Sequence, residues 1–426
     1  MLRARTRTAL GAAATLAFAS AGTTAPLPKT LPRGVSPVLY EIAVPPGAEP
    51  TPEKVALGDK LFNEKRVSVN DRVACATCHD PAKGFVDHKP LAEGVAAPAQ
   101  RTQRNSPTVL NAMFNATQFW DGRAPTLEEQ AKLPILNPIE MGQKSPDDVM
   151  NKLRAIPEYR NAFQQVFGHD ATYDDLAGAI AAFERTQYAG DSPFDRFVAG
   201  DDKAIDPSAK RGWGLFNGKG RCSDCHAFST VNPLFSDQRF HNIGIAAHKT
   251  DFIDLARKAT AIVRGGDLKQ IDELAIQTNL SELGCFLVTK NSNDIGAFKT
   301  PGLRNIAVTA PYMHDGSLAT LWDVMDHYNK GGVPNPNLDG GMQRLGLTEP
   351  EIDDMVSFLA SLTSAKLAPF GKQEMARQQA RKNVRPERDT AAAMGKKGDL
   401  GDLAPDPDPA KPAAFGVLVR KGTTYE

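Results

Sequence analysis

Two copies of one pentapeptide constrain this chain more than any other feature: Cys75-Ala76-Thr77-Cys78-His79 and Cys222-Ser223-Asp224-Cys225-His226. C-x-x-C-H is the attachment signature of c-type haem. Two thiols separated by two residues can each add to one vinyl group of a porphyrin, and the following His is placed to bind iron from the same side. Cys75 and Cys78 are therefore read as thioether anchors with His79 as proximal ligand, and Cys222, Cys225 and His226 in the same roles. One copy alone would also suit a redox dithiol or half of a zinc site. Two copies, each followed by His in a chain that opens on an export signal, point to two covalent haems. The fifth cysteine, Cys285, stands alone and reads as a buried, inert thiol.

The export signal is MLRARTRT, with three arginines and no acid, followed by the short apolar run ALGAAATLAFASA. It reads as a secretory signal peptide over 1–21, cut after Ala21, with Ala25 as the alternative site. The run is shorter than the roughly 20 apolar residues a membrane helix needs, so the expectation is a soluble periplasmic chain with no membrane span in its mature form. Removing Arg3, Arg5 and Arg7 takes the net charge from 0 to −3. Lys plus Arg and Asp plus Glu both number 50, which excludes bulk attraction to nucleic acid or an anionic membrane.

A length of 426 residues suits two or three units of about 100–200 residues, and the surroundings of the two motifs repeat. Gly58-x-x-Leu61-Phe62-Asn63 precedes the first and Gly214-Leu215-Phe216-Asn217 the second. Downstream, Thr172-x-x-Asp175 opens a stripe of Leu176, Ile180 and Phe183, and Thr348-x-x-Glu351 opens one of Ile352, Met355, Val356 and Leu359. A capping Thr with an acid three residues on, then a 3.6-residue apolar period, marks a helix start. The expected division is a Pro-rich extended arm at 22–50, a first unit at 51–190 and a second at 191–365, with a linker near 188–207. The second unit carries a polar, partly helical insertion at 246–283 to which no chemical role attaches. The tail at 366–426, rich in Ala, Pro, Lys, Arg and Asp, reads as extended unless it wraps a domain.

Between the first motif and the linker lies RNSPTVLNAMFNATQFWDGRAPTLEEQAKLPILNPIEMG, and beyond the second TPGLRNIAVTAPYMHDGS. With DSPFD and both haem motifs, these segments make residues 50–364 closely similar to the bacterial di-haem cytochrome c peroxidases and their MauG-type relatives. The resemblance implies a mainly α fold of two cytochrome c-like helical domains in tandem, one c-type haem in each and Ca2+ between them. It further implies a first haem that reacts with hydrogen peroxide and a second that stores or relays electrons.

Carried over by position, Glu140 in NPIEM matches the family's distal acid and Gln130 in EEQA its neighbouring amide. Peroxide heterolysis needs a group that takes a proton from one oxygen and returns it to the other, which a carboxyl can do. Trp120 in QFWDGR matches the tryptophan between the haems, an oxidisable relay. Asn105, Thr309 and Pro311 match the calcium site, offering hard oxygen ligands. Peroxidases that need reductive activation carry a His in the loop before RNSPT, and residues 89–104 contain none. The first haem is therefore expected to have an open face, with His88 as the single nearby candidate ligand. MauG has a surface Trp two residues before its second motif, where this chain has Gly220.

Counting 14 residues on from His314, where cytochrome c peroxidases place a Met ligand, lands on Tyr328. MauG shares a Tyr there; Met313, Met325 and His327 are the rivals. A thioether raises a haem's potential and a phenolate favours higher iron oxidation states. The expected activity is thus periplasmic peroxide-dependent oxidation of a protein electron donor or of a partner protein's side chain, MauG-like and through high-valent iron. The alternatives are a cytochrome c peroxidase that detoxifies peroxide and a non-catalytic di-haem electron carrier.

Overall fold

The computed structural model describes residues 30–248, 255 and 268–384. The signal segment, part of the insertion and the end of the tail lie outside them. Among the described residues no helix is long and apolar enough to cross a membrane.

The chain is helical, and its helices pair by repeat. Helix Pro52–Phe62, capped by Thr51, lies along helix Tyr173–Glu184, whose Thr172–Asp175 capping box forms. Helix Pro207–Asn217, capped by Asp206, lies in the same way along Glu349–Ser361, whose Thr348–Glu351 capping box also forms. Both crossings are close because each has a glycine at the contact. A Cβ on Gly58 would stand 1.9 Å from the Ala179 carbonyl oxygen, and one on Gly212 would stand 2.0 Å from that of Asp354. Gly212, not Gly214, is therefore the counterpart of Gly58; Gly214 has nothing within 4 Å of its would-be Cβ.

Each pair encloses its own core. Leu57, Leu61, Phe62, Leu176 and Ile180 belong to one cluster, and Phe194, Phe216, Ile352, Met355 and Phe358 to the other. Each such fully buried side chain contributes about 1.5–3 kcal/mol. A third cluster unites Ile271, Ala275, Leu283, Phe286 and Phe298 and rests on Trp120. The insertion, whose described part includes helix Leu268–Gln277, thus packs on a first-half residue.

Three expectations need correction. The arm contains helix Pro37–Ala43, capped by Ser36, and is anchored by buried Tyr40 edge-on to Tyr188. The linker contains helix Pro193–Val198, and its Asp195 is buried in an ion pair with Arg304 at 2.8 Å. The tail begins with helix Ala368–Val384. There Gln378, fully buried, accepts from the Leu321 N–H (2.9 Å) and donates to the Ala307 carbonyl (3.2 Å). Its residues are good helix formers with a weak apolar stripe, so composition concealed a helix held by amide bonds.

Candidate active site

One continuous cavity, about 3200 Å3 of atom-free space including its mouths, reaches both C-x-x-C-H motifs. The four motif cysteines lie on its wall, none of them in a disulfide, and the Cys285 thiol is buried, which pushes its pKa up to about 12. His79 Nδ1 lies 3.4 Å from the Phe85 carbonyl oxygen and His226 Nδ1 lies 2.8 Å from that of Phe235. A ring nitrogen spent on a backbone carbonyl fixes the tautomer and leaves Nε2 for a metal. Burial lowers both imidazole pKa values, which favours the neutral, ligating form. Two thiols and one oriented imidazole at each end of a largely apolar cavity fit two covalent haems.

Glu140, Gln130 and Trp120 also line this cavity, Glu140 beside Cys78 of the first motif. Glu140 sits in the turn after helix Leu127–Leu136, and its Oε2 is enclosed with no hydrogen-bond partner among the described residues. Burial, with the Asp272 carboxylate second, pushes its pKa up to about 8 against the opposing pull of Arg123. Gln130 and Pro134 present the same helix to the cavity. Trp120 Nε1 donates to the Asn105 carbonyl at 2.9 Å.

Asn105, Thr309 and Pro311 all line this cavity. Asn105 donates its Nδ2 to the Lys89 carbonyl (2.9 Å) and its backbone N–H to the His314 carbonyl (2.7 Å). With Nδ2 so engaged, Oδ1 is turned the other way, as an oxygen ligand requires. The set is neutral, which suits a moderately bound calcium ion.

At the second motif, Tyr328 reaches the cavity from helix Leu321–Asn329, beside Met325 and with Met313 across from the turn. Burial raises its phenol pKa, with the nearby Cys225 and Cys222 sulfurs adding to the shift. His327 turns away, its Nε2 2.8 Å from the Ile243 carbonyl oxygen. His88 also lies off the cavity wall. Its Nδ1 is 2.8 Å from the Ala310 carbonyl oxygen and its ring meets Phe370 of the last helix edge-on.

Motif reading assigned no role to the charge cluster behind Glu140. Arg123 pairs with Asp121 at 3.0 Å and with Asp272 at 2.9 Å, and Asp121 also takes Arg104 at 2.6 Å. All four are buried. Arg104, Asp121 and Arg123 sit in quoted motifs, but Asp272 lies in the insertion, and no local signal announces a partner 149 residues away.

A helical chain with two such haem ends is a di-haem c-type oxidoreductase. Residues 52–203 match the family model described as di-haem cytochrome c peroxidase. The methylamine utilization protein MauG of Methylorubrum extorquens is 38% identical over 326 residues, 76% of this chain and 82% of the relative. Cytochrome c551 peroxidase of Pseudomonas aeruginosa is 37% identical over 310 residues, 72% of this chain and 78% of the relative. Among solved structures, a MauG-like protein associated with microbial copper homeostasis aligns with TM-score 0.62 at 29% identity, covering 80% of this chain and 96% of that one. The di-haem peroxidase BthA of Burkholderia thailandensis shares the fold, with TM-score 0.60 at 24% identity over 74% of this chain and 87% of that one. The chain belongs to the di-haem cytochrome c peroxidase family.

Proposed function

We propose that this is a periplasmic di-haem peroxidase of the MauG type, which uses hydrogen peroxide to oxidise a redox protein or a partner protein's side chain. The observation that carries the reading is the enclosed, partnerless Glu140 Oε2 on the cavity wall near the first motif. Anchored through Cys75, Cys78 and His79 in one half and Cys222, Cys225 and His226 in the other, the haems supply redox-active iron that accepts oxidising equivalents from peroxide. The chain's own groups handle protons and position. Glu140 accepts a proton from the incoming oxygen and returns it to the departing one, and Gln130 orients the peroxide from the neighbouring helix. Peroxide, two electrons and two protons give two waters. The electrons come from the protein donor, relayed through the Trp120 indole, which the Asn105 carbonyl holds in place.

Asn105, Thr309 and Pro311 would hold calcium where the halves meet. Tyr328 would help hold the second haem together with Cys222, Cys225 and His226, its phenol oxygen being the donor it can offer iron. His88 is held on the Ala310 carbonyl and residues 89–104 contain no His, so the chain offers no further imidazole to the first haem there, and the fully ferric protein is expected to react with peroxide without prior reduction.

The test is Glu140→Gln in the haem-loaded protein. Peroxide turnover should fall by roughly 10²-fold or more, the scale of general acid–base loss, with both haems retained. Unchanged turnover removes Glu140 from the mechanism. A resting ferric spectrum with one high-spin haem is expected, and two low-spin haems would return the chain to the class of electron carriers.

A further inference from the structure

From His226 to Asn305 the second half spends 79 residues where the first spends 32 from His79 to Asn111. The extra length includes helix Leu268–Gln277, which docks on the first half: the Ile276 carbonyl accepts the Gln103 N–H at 2.8 Å. Asp272, 2% exposed, points from this helix into the wall behind Glu140. Its Oδ1 accepts from Arg123 Nε at 2.9 Å and its Oδ2 from Asn137 Nδ2 at 2.6 Å. Asn137 in turn builds the Glu140 turn. Its Oδ1 accepts the Ile139 N–H at 3.2 Å and its carbonyl accepts the Glu140 N–H at 3.1 Å. One carboxylate thus grips both the turn that carries Glu140 and the guanidinium beside it.

We propose that Asp272 is a positioning residue of the peroxide site, locking the Asn137 turn and neutralising Arg123, so that an insertion in the second half governs proton handling in the first. The inference rests on the reading of Glu140 as the acid–base group. The charged groups facing Glu140 are Arg123 from the QFWDGR turn and Asp272 from the insertion helix; Cys78, facing it from the motif, becomes an uncharged thioether once haem is attached. Arg123 favours the carboxylate, whereas Asp272 and burial favour the neutral acid. Neutralising Asp272 leaves Arg123 with Asp121 alone as a counter-ion, and both changes act in the same direction, lowering the pH at which Glu140 ionises.

The experiment uses the haem-loaded ferric chain. The protonated-carboxyl infrared band of Glu140, identified by its loss in Glu140→Gln, is titrated alongside the rate of reaction with peroxide. In Asp272→Asn the midpoint should move to lower pH by about one unit or more, and Asp272→Glu should bring it back toward that of the unmodified protein. An unmoved midpoint in Asp272→Asn with both haems attached overturns the proposal. Should Asp272→Asn fail to load haem, Asp272→Ser carries the same expectation, and ionisation of Glu140 in the unmodified protein near the ordinary value of about 4.3 overturns the proposal without any variant. The two failures separate: an unchanged peroxide rate in Glu140→Gln sinks the acid–base reading itself, while a lost rate with an unmoved Asp272→Asn midpoint sinks this inference alone.

Discussion

The two halves can be laid over one another without a gap from Asn111 and Asn305 through the helices that follow, at a constant offset of 194 residues. Both asparagines take a left-handed conformation before a short 3-10 turn. Thr126 and Thr320 then cap the helices Leu127–Leu136 and Leu321–Asn329, each by accepting the N–H three residues on. At the eighth residue after the cap the halves part: Pro134 faces the first end of the cavity, and Tyr328 faces the second. A pyrrolidine ring has no atom to offer iron, whereas a phenol has one. On the proposed function, the contrast teaches that a shared backbone frames both haem sites while the side chain at this one place sets which of them meets peroxide. Proline inside a helix costs about 3 kcal/mol, and its presence at this place fits a functional demand.

The strongest way to break the contrast is to fill the open place. Pro134→Met should give the first iron a sulfur ligand, convert the high-spin haem to low-spin and slow the peroxide reaction by roughly 10²-fold, a loss comparable to that of a catalytic proton donor. A spectrum that stays high-spin would show that Pro134 does not stand over the iron. The reciprocal change, Tyr328→Met, should raise the second haem's potential by on the order of 0.1 V within the ~0.8 V that axial ligands span. A redox titration checks this, and methionine ligation in the unmodified protein would refute the Tyr328 assignment.

Smaller effects sharpen the equivalence of the scaffolds. Gly58→Ala and Gly212→Ala should each cost about 1–3 kcal/mol by forcing paired helices apart, read as similar falls in thermal midpoint. Gly214→Ala, with open space around it, should leave the midpoint unchanged or raise it slightly. Calcium chelation should slow oxidation of the second haem after peroxide addition several-fold, because Asn105 comes from one half and Thr309 and Pro311 from the other. Equal rates before and after chelation would exclude a bridging ion there.

Local patterns made the repeat legible. Thr172–Asp175 and Thr348–Glu351 declare helix starts through their own spacing, and Cys-x-x-Cys-His declares its cofactor. The resemblance placed Glu140, Gln130, Trp120 and Tyr328, and the structure brings all four to one cavity. What escaped was set by contacts distant in sequence. Gly58 and Gly212 share the spacing Gly-x-x-Leu-Phe-Asn, but that each of them sits against a carbonyl of the partner helix is seen only in the crossing. The Ala368–Val384 helix docks through Gln378, whose amide looks like any solvent-facing one until its three partners are seen. Asp272 carried no signal because its meaning lies wholly in Arg123 and Asn137.

The constant offset between Asn111 and Asn305 has a consequence for how such a molecule arises. A duplicated gene yields two interchangeable halves, and division of labour between them then requires no new architecture. On the proposed function, a single codon at the eighth place after a helix cap, proline in one copy and tyrosine in the other, would be enough to separate a site that meets peroxide from one that relays electrons. The inserted segment that reaches back from the later copy into the earlier one then ties their fates together, so that neither half is free to drift alone.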